Sequence, residues 1–138
     1  MATNRQTIRI TGVPFEDITP EIQKALDTAL AGTLNLQQSS LAKANPKDTG
    51  RMAASWTVGK NEPDLSVKPE GKQSPIPQPY SLPITFKGDW YISNNVPYAQ
   101  NIALNYAPAA PKAQKDWFTS IANQTGVVFT NQYNKVKP

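Results

Sequence analysis

Apolar positions along this chain change their period as they go, and each change marks an element. Residues 5–11 (Arg-Gln-Thr-Ile-Arg-Ile-Thr) alternate polar with apolar and are rich in β-branched side chains, which predicts a short strand. Gly12-Val13-Pro14 follows as a turn. Thr19-Pro20 then offers a helix start, with Thr as N-cap, Pro at the first helical position and Glu21 where the helix dipole favours an acid. Ile22, Ala25, Leu26, Ala29 and Leu30 share one face at helical spacing, and Leu34 and Leu41 extend it. The stripe predicts a long amphipathic helix over about residues 20–44, interrupted in pattern at Gly32 and ended by Asn45-Pro46. Such a stripe requires a sheet or a second helix to cover it.

Beyond the helix the pattern shortens. Asp48-Thr49-Gly50-Arg51 reads as a turn, Met52 to Val58 as a strand, and Leu65-Ser66-Val67 as its weak continuation. Residues 69–83 hold prolines at 69, 75, 77, 79 and 83. Proline lacks the N–H a ladder needs, so this stretch is expected to be an extended loop or arm projecting from the domain. Ile84-Thr85-Phe86 and Trp90-Tyr91-Ile92-Ser93 read as a hairpin around Lys87-Gly88-Asp89. Asn94 to Pro97 is a turn, and Tyr98 to Leu104 spans one or two helical turns. After the break at Ala107-Pro108-Ala109-Ala110-Pro111, a helix from Lys112 to about Asn123 carries Trp117, Phe118 and Ile121, with Gly126 as its stop. Val127-Val128-Phe129 reads as a short strand within a loosely ordered tail, 127–138. Together these elements predict a single α+β domain over residues 1–138. A long N-terminal helix and a shorter C-terminal one pack on an antiparallel sheet, from which the Pro-rich loop projects.

Composition narrows the chemistry. A chain of 138 residues buries roughly two-thirds of its unfolded surface, enough for one core without staples. It has no Cys and no His, which removes disulfides, ordinary zinc sites, Cys or His nucleophile–base pairs and imidazole proton transfer. Hydrophobic residues make up 38% and prolines number 13, low and high respectively for a compact monomer. That balance leads to the expectation that extended parts are ordered by neighbouring chains. No apolar run is long enough for a bilayer, and Met1–Gln6 is not followed by the apolar stretch of a signal peptide, so a cytosolic product is expected. The formal charge is +4, with Lys112, Lys115, Lys135 and Lys137 opposed only by Asp116 near the C-terminal end. A basic end of this kind meets nucleic acid or an acidic protein surface, or simply stays solvated.

Candidate chemistry is sparse. Glu16 with Asp17, and Asp48 with Asp64, are the carboxylate groupings to test for acid–base work, but the first lies before a helix start where capping explains it. No glycine pattern cradles phosphate. Ser66 and Lys68 would point the same way on a strand, as a Ser–Lys pair requires, with nothing further to support one. Trp56, Tyr80, Phe86, Trp90 and Tyr91 near Arg51, Lys60 and Lys87 form either a base-stacking surface for nucleic acid or the packing of a core or subunit interface. No cofactor is called for.

Three blocks in order carry a family resemblance. They are Asp48-Thr49-Gly50-Arg51-Met52-Ala53-Ala54-Ser55 after the long helix, Tyr91-Ile92-Ser93-Asn94-Asn95-Val96-Pro97-Tyr98-Ala99, and Ala107-Pro108 before the Trp117 helix. Over roughly residues 18–124 the chain resembles the small neck and tail-completion proteins of long-tailed bacteriophages, relatives of the lambda minor tail protein Z. It departs from them in the neutral run Gln100 to Asn105 and in the length of its Pro-rich insert. The resemblance implies a non-enzymatic virion subunit, made in the host cytoplasm and forming a homo-oligomeric ring, hexamer or dodecamer, at the head–tail joint. Portal or adaptor proteins would lie above it and a tail terminator or tail tube below, with DNA passing through the lumen without sequence-specific binding and no membrane involved. The alternatives are a nucleic-acid-binding module, a tail terminator or another tail structural protein. On this reading Gly50 supplies a positive-φ turn, Asp48 and Thr49 bond local backbone, Arg51 pairs with an acid of the next subunit, and Tyr98 anchors the interface. Pro75, Pro77, Pro79 and Tyr80 are the candidate inter-ring contacts.

Overall fold

The long helix forms where its stripe predicts. In the computed structural model, which describes residues 6–12, 19–46, 49–80, 83–106 and 117–138, helix α1 runs Pro20–Ala44. Thr19 Oγ1 accepts the Ile22 N–H at 3.2 Å as N-cap. At the far end the Asn45 N–H still reaches the Leu41 carbonyl, and Pro46 allows no further turn. Strands β1 (Gln6–Gly12), β2 (Trp56–Lys60) and β3 (Gly88–Asn94) form an antiparallel sheet in the order β1-β3-β2. Four further helices complete the described elements: α2 (Arg51–Ala54), α3 (Ala99–Asn105), α4 (Trp117–Asn123) and α5 (Thr125–Val136). The fold is α+β, with helices packed on one small sheet.

Sheet register sets the core. Ile8, Ile92 and Val58 form one row across the three strands, and Ile10 lies opposite Trp90 in the next. With Trp56 they share the face that meets Leu30, Leu34 and Leu41 of α1. Aliphatics are few, and tryptophans fill the gap: Trp56 and Trp90 are fully buried, Trp117 nearly so. Trp117 packs edge-on against Trp56 (6.3 Å) and Phe118 stacks on it (5.8 Å).

Several expected elements take another form. Met52 does not enter a strand directly, because residues 51–54 make one helical turn before β2 begins at Trp56. Ala53 and Ala54 favour that turn, and Asn94 Nδ2 closes it by donating to the Met52 carbonyl at 2.7 Å. Ile84–Phe86 forms no hairpin with β3. The Phe86 N–H donates instead to Asp27 Oδ1 of α1 (2.7 Å), and the Thr85 carbonyl accepts from Trp90 Nε1 (3.0 Å), so ladder groups are already committed. Leu65–Val67 is not a strand either. Residues 61–68 cross the outer face of the sheet, where the Asp64 carbonyl accepts from Thr57 Oγ1 (2.8 Å) and Asn95 Nδ2 (3.0 Å).

The C-terminal end is the largest correction. Gly126 does not stop a helix, Val127–Phe129 is not a strand, and the 127–138 tail is helical as far as Val136. Tertiary contacts override local β propensity here: Gln37 Nε2 on α1 donates to the Ile121 carbonyl (2.9 Å) and Thr125 Oγ1 (2.8 Å), and Phe129 stacks on Phe86 at 5.3 Å. The pairing of Gln37 with Thr125 and of Gly32 with Gln132 makes α5 antiparallel to α1. The 112–123 helix is seen from Trp117. Val13-Pro14, Glu16, Asp17, Asp48, the break at 107–111 and Lys112–Asp116 lie outside the described residues.

Candidate interaction surface

The turn after α1 is built around backbone geometry. Gly50 adopts φ +82°, the left-handed conformation expected of it, and heads α2 as its N-cap. Thr49 Oγ1 accepts the Arg51 N–H at 3.2 Å, so the hydroxyl bonds local backbone as predicted. Arg51 turns inward along its own chain, its Nε donating to the Lys68 carbonyl at 2.8 Å.

The Pro-rich segment is irregular, as predicted, but its described part is a strap tied to the body. The Lys68 N–H donates to Ser55 Oγ (3.0 Å), the Gln73 N–H to the Thr49 carbonyl (2.7 Å), and Gln38 Nε2 to the Gln78 carbonyl (3.0 Å). Prolines remove backbone donors, so side-chain donors fasten the segment through its carbonyls: Arg51 meets Lys68, Gln38 meets Gln78, and Gln73 Nε2 meets Pro69. Pro75, Pro77 and Pro79, with Ile76, line an apolar groove of about 600 Å³ against Asn35, Ser39, Ala42 and Lys43 of α1. Ile76 stays 73% exposed at its rim. Tyr80 is half-buried, its ring packing edge-on against Trp90 at 5.4 Å and anchoring the strap to the core.

A second groove joins residues in and beside the first two of the three blocks that carry the sequence resemblance. Pro46, Thr49, Gly50 and Met52 form one wall of a cavity of about 510 Å³; Tyr98, Ile102 and Tyr106 form the other. The i, i+4, i+8 spacing lines these three residues along α3 and its ends. Tyr98 and Tyr106 remain exposed to 38% and 50%, and Leu104, also on α3, to 51%. The sequence reading placed Tyr98 here and missed Ile102 and Tyr106, although their spacing from Tyr98 was the available signal. This is an apolar, aromatic-walled surface suited to burial against another protein.

Other candidates disperse. Asp64 Oδ1 accepts from both the N–H (2.9 Å) and Oγ (2.7 Å) of Ser66, a local turn that separates Ser66 from any role with Lys68. Trp56 and Trp90 are interior, Phe86 is half-buried on Phe129, and Lys60 lies 5.6 Å over the Trp90 ring, so these aromatics form no exposed stacking row. On the outer face of the sheet Arg9 pairs with Asp89, whose hydrogen bond and charge raise the guanidinium above its ordinary pKa. Among the described residues no cluster of acids could hold a metal ion, and no helix is long and apolar enough to cross a membrane. No protein-family profile, curated protein or solved structure matches this chain.

Proposed function

We propose that the chain is a structural subunit working by self-association, of the kind that forms a ring at the head–tail joint of a long-tailed phage and joins the DNA-filled head to the tail. The observation that supports this reading is the groove where Thr49 and Gly50 face Tyr98, Ile102 and Tyr106. Two separate sequence blocks converge there on a half-exposed aromatic wall. Tyrosine suits such a place, since its ring gains from burial while its hydroxyl keeps a polar partner or water. On this reading the ring carries portal or adaptor proteins on one side and the tail terminator or tube on the other, with DNA threading the lumen.

The test is a double variant, Tyr98→Ser/Tyr106→Ser, compared with the parent chain by native mass measurement and in a head–tail joining reaction. Both side chains are exposed, so the variant is expected to keep its far-UV circular dichroism and lose association and joining. Normal joining by a folded double variant would refute the groove's role. A parent chain that remains monomeric and fails to bind heads or tails would refute the assembly reading itself.

A further inference from the structure

Helix α5 is held differently from every other long element. It buries no residue completely, its N-cap Gln124 makes no side-chain capping bond, and no acid lies in its first turn. Of its residues, Thr125-Gly126-Val127-Val128-Phe129-Thr130-Asn131-Gln132-Tyr133-Asn134-Lys135-Val136, only Gln132 and Lys135 are good helix formers. Helix α1, by contrast, is capped by Thr19 and buries Leu30, Leu34 and Leu41. What holds α5 is docking along α1 through half-buried side chains rather than core burial: the Gln37 amide bonds the α4–α5 junction, Phe129 stacks on Phe86, and Gln132 lies beside Gly32. A segment whose local preference opposes its fold, and none of whose side chains is fully buried, belongs to the low-stability end of a protein's opening spectrum.

We infer that α5 is a latch that leaves α1 as a separate unit while α1 and the sheet stay folded. Opening releases the Gln37 amide and bares Phe86 and the strip of α1 around Gly32. The device is independent of the groove at Tyr98 and of the assembly reading.

Native-state hydrogen exchange on the whole chain in low urea tests it. Amides of 126–136 are expected to exchange at least roughly 100-fold faster than those of the α1 centre, with little dependence on urea. A double variant at exposed α5 positions, Val127→Ala/Asn131→Ala, improves helix propensity by about threefold at each site. It is expected to slow exchange in α5 by roughly tenfold and leave α1 unaltered. Exchange of α5 that merges with α1 in rate and urea dependence would overturn the inference, as would a variant that slows both by the same factor. Because the chain has no cysteine of its own, Gly32→Cys/Gln132→Cys supplies a second test. The oxidised form is expected to bring α5 exchange down to that of α1, and reduction to restore it. Unchanged α5 exchange with the disulfide formed would also overturn the latch.

Discussion

Replacing Gly50 by alanine probes the joint between the left-handed turn after α1 and the strap. The φ of +82° places an alanine in a left-handed conformation that costs about 1 kcal/mol. A methyl group there would also overlap the backbone carbonyl oxygen of Gln73, which cannot rotate aside as a side chain would. Relieving the overlap means shifting the strap and losing the Gln73 N–H to Thr49 carbonyl bond, about 1 kcal/mol, with a further ~1–2 kcal/mol of overpacking. The sum is about 3–4 kcal/mol. Gly71 is the control, because its φ is +99° but an added Cβ would meet nothing within 4 Å, leaving only the conformational cost of about 1 kcal/mol. Urea unfolding of both variants, read as a change in midpoint at constant slope, isolates the strap contact as a gap of about 2–3 kcal/mol. In thermal scans the same reasoning gives a loss of roughly 10 °C for Gly50→Ala and roughly 3 °C for Gly71→Ala. Destabilisations within about 0.5 kcal/mol of one another would refute the claim that the strap is seated on the turn.

Other expectations follow from single side chains. Gln38→Leu removes the donor shared by the Trp56 and Gln78 carbonyls. It is expected to cost about 1–3 kcal/mol in urea and to speed proteolysis within 73–80. Trp56→Phe takes away the Nε1 donor to Asn45 Oδ1 (3.0 Å) and leaves space beside Trp117, so a loss of about 2–4 kcal/mol is expected, with a changed near-UV dichroism. Ile76→Ser, at a rim position, is expected to change stability by less than about 0.5 kcal/mol; weakened association by native mass would identify the strap groove as a second contact.

Legibility in the sequence followed the type of signal. Helix α1 was readable at both ends because its stripe, its cap and its stop agree at Thr19-Pro20 and Asn45-Pro46. β1 was readable from β-branched alternation, and β3 from the aromatic and β-branched run Trp90-Tyr91-Ile92, though paired there with the wrong partner. The hairpin failed because an apparently local choice was decided by a distant group, Asp27, which takes the Phe86 N–H. Likewise α5 was misread because Gly126-Val127-Val128-Phe129 carries a true strand preference that only docking on α1 defeats. At the candidate surface, Gly50 and Thr49 were legible from turn chemistry, whereas Tyr106 was not read although its i+8 spacing from Tyr98 was there to see, because residues 99–105 carry no continuous apolar stripe. Gln37 and Gln38 were also passed over, although both sit between Leu34 and Leu41 on the apolar stripe, the placement expected of buried amides.

Those amides change what the low aliphatic content means. A chain with few Leu, Ile and Val was expected to leave its extended parts for neighbours to order. Instead, Gln38 reaches both β2 and the strap, Gln37 holds the α4–α5 junction, Asn45 receives Trp56 Nε1, and Asn94 on β3 ties down α2 by donating to the Met52 carbonyl. Each bond ties elements distant in sequence, and each would leave a buried group unpaired if the elements were misplaced, so the amides supply directional specificity that a larger aliphatic core would supply by shape. The strap is therefore fastened by its own chain before any partner arrives. Under the proposed assembly role, association would therefore draw on finished surface rather than unfinished interior, and the tyrosine-walled groove beside Gly50 combines exposed aromatic area with a wall built on bonded backbone.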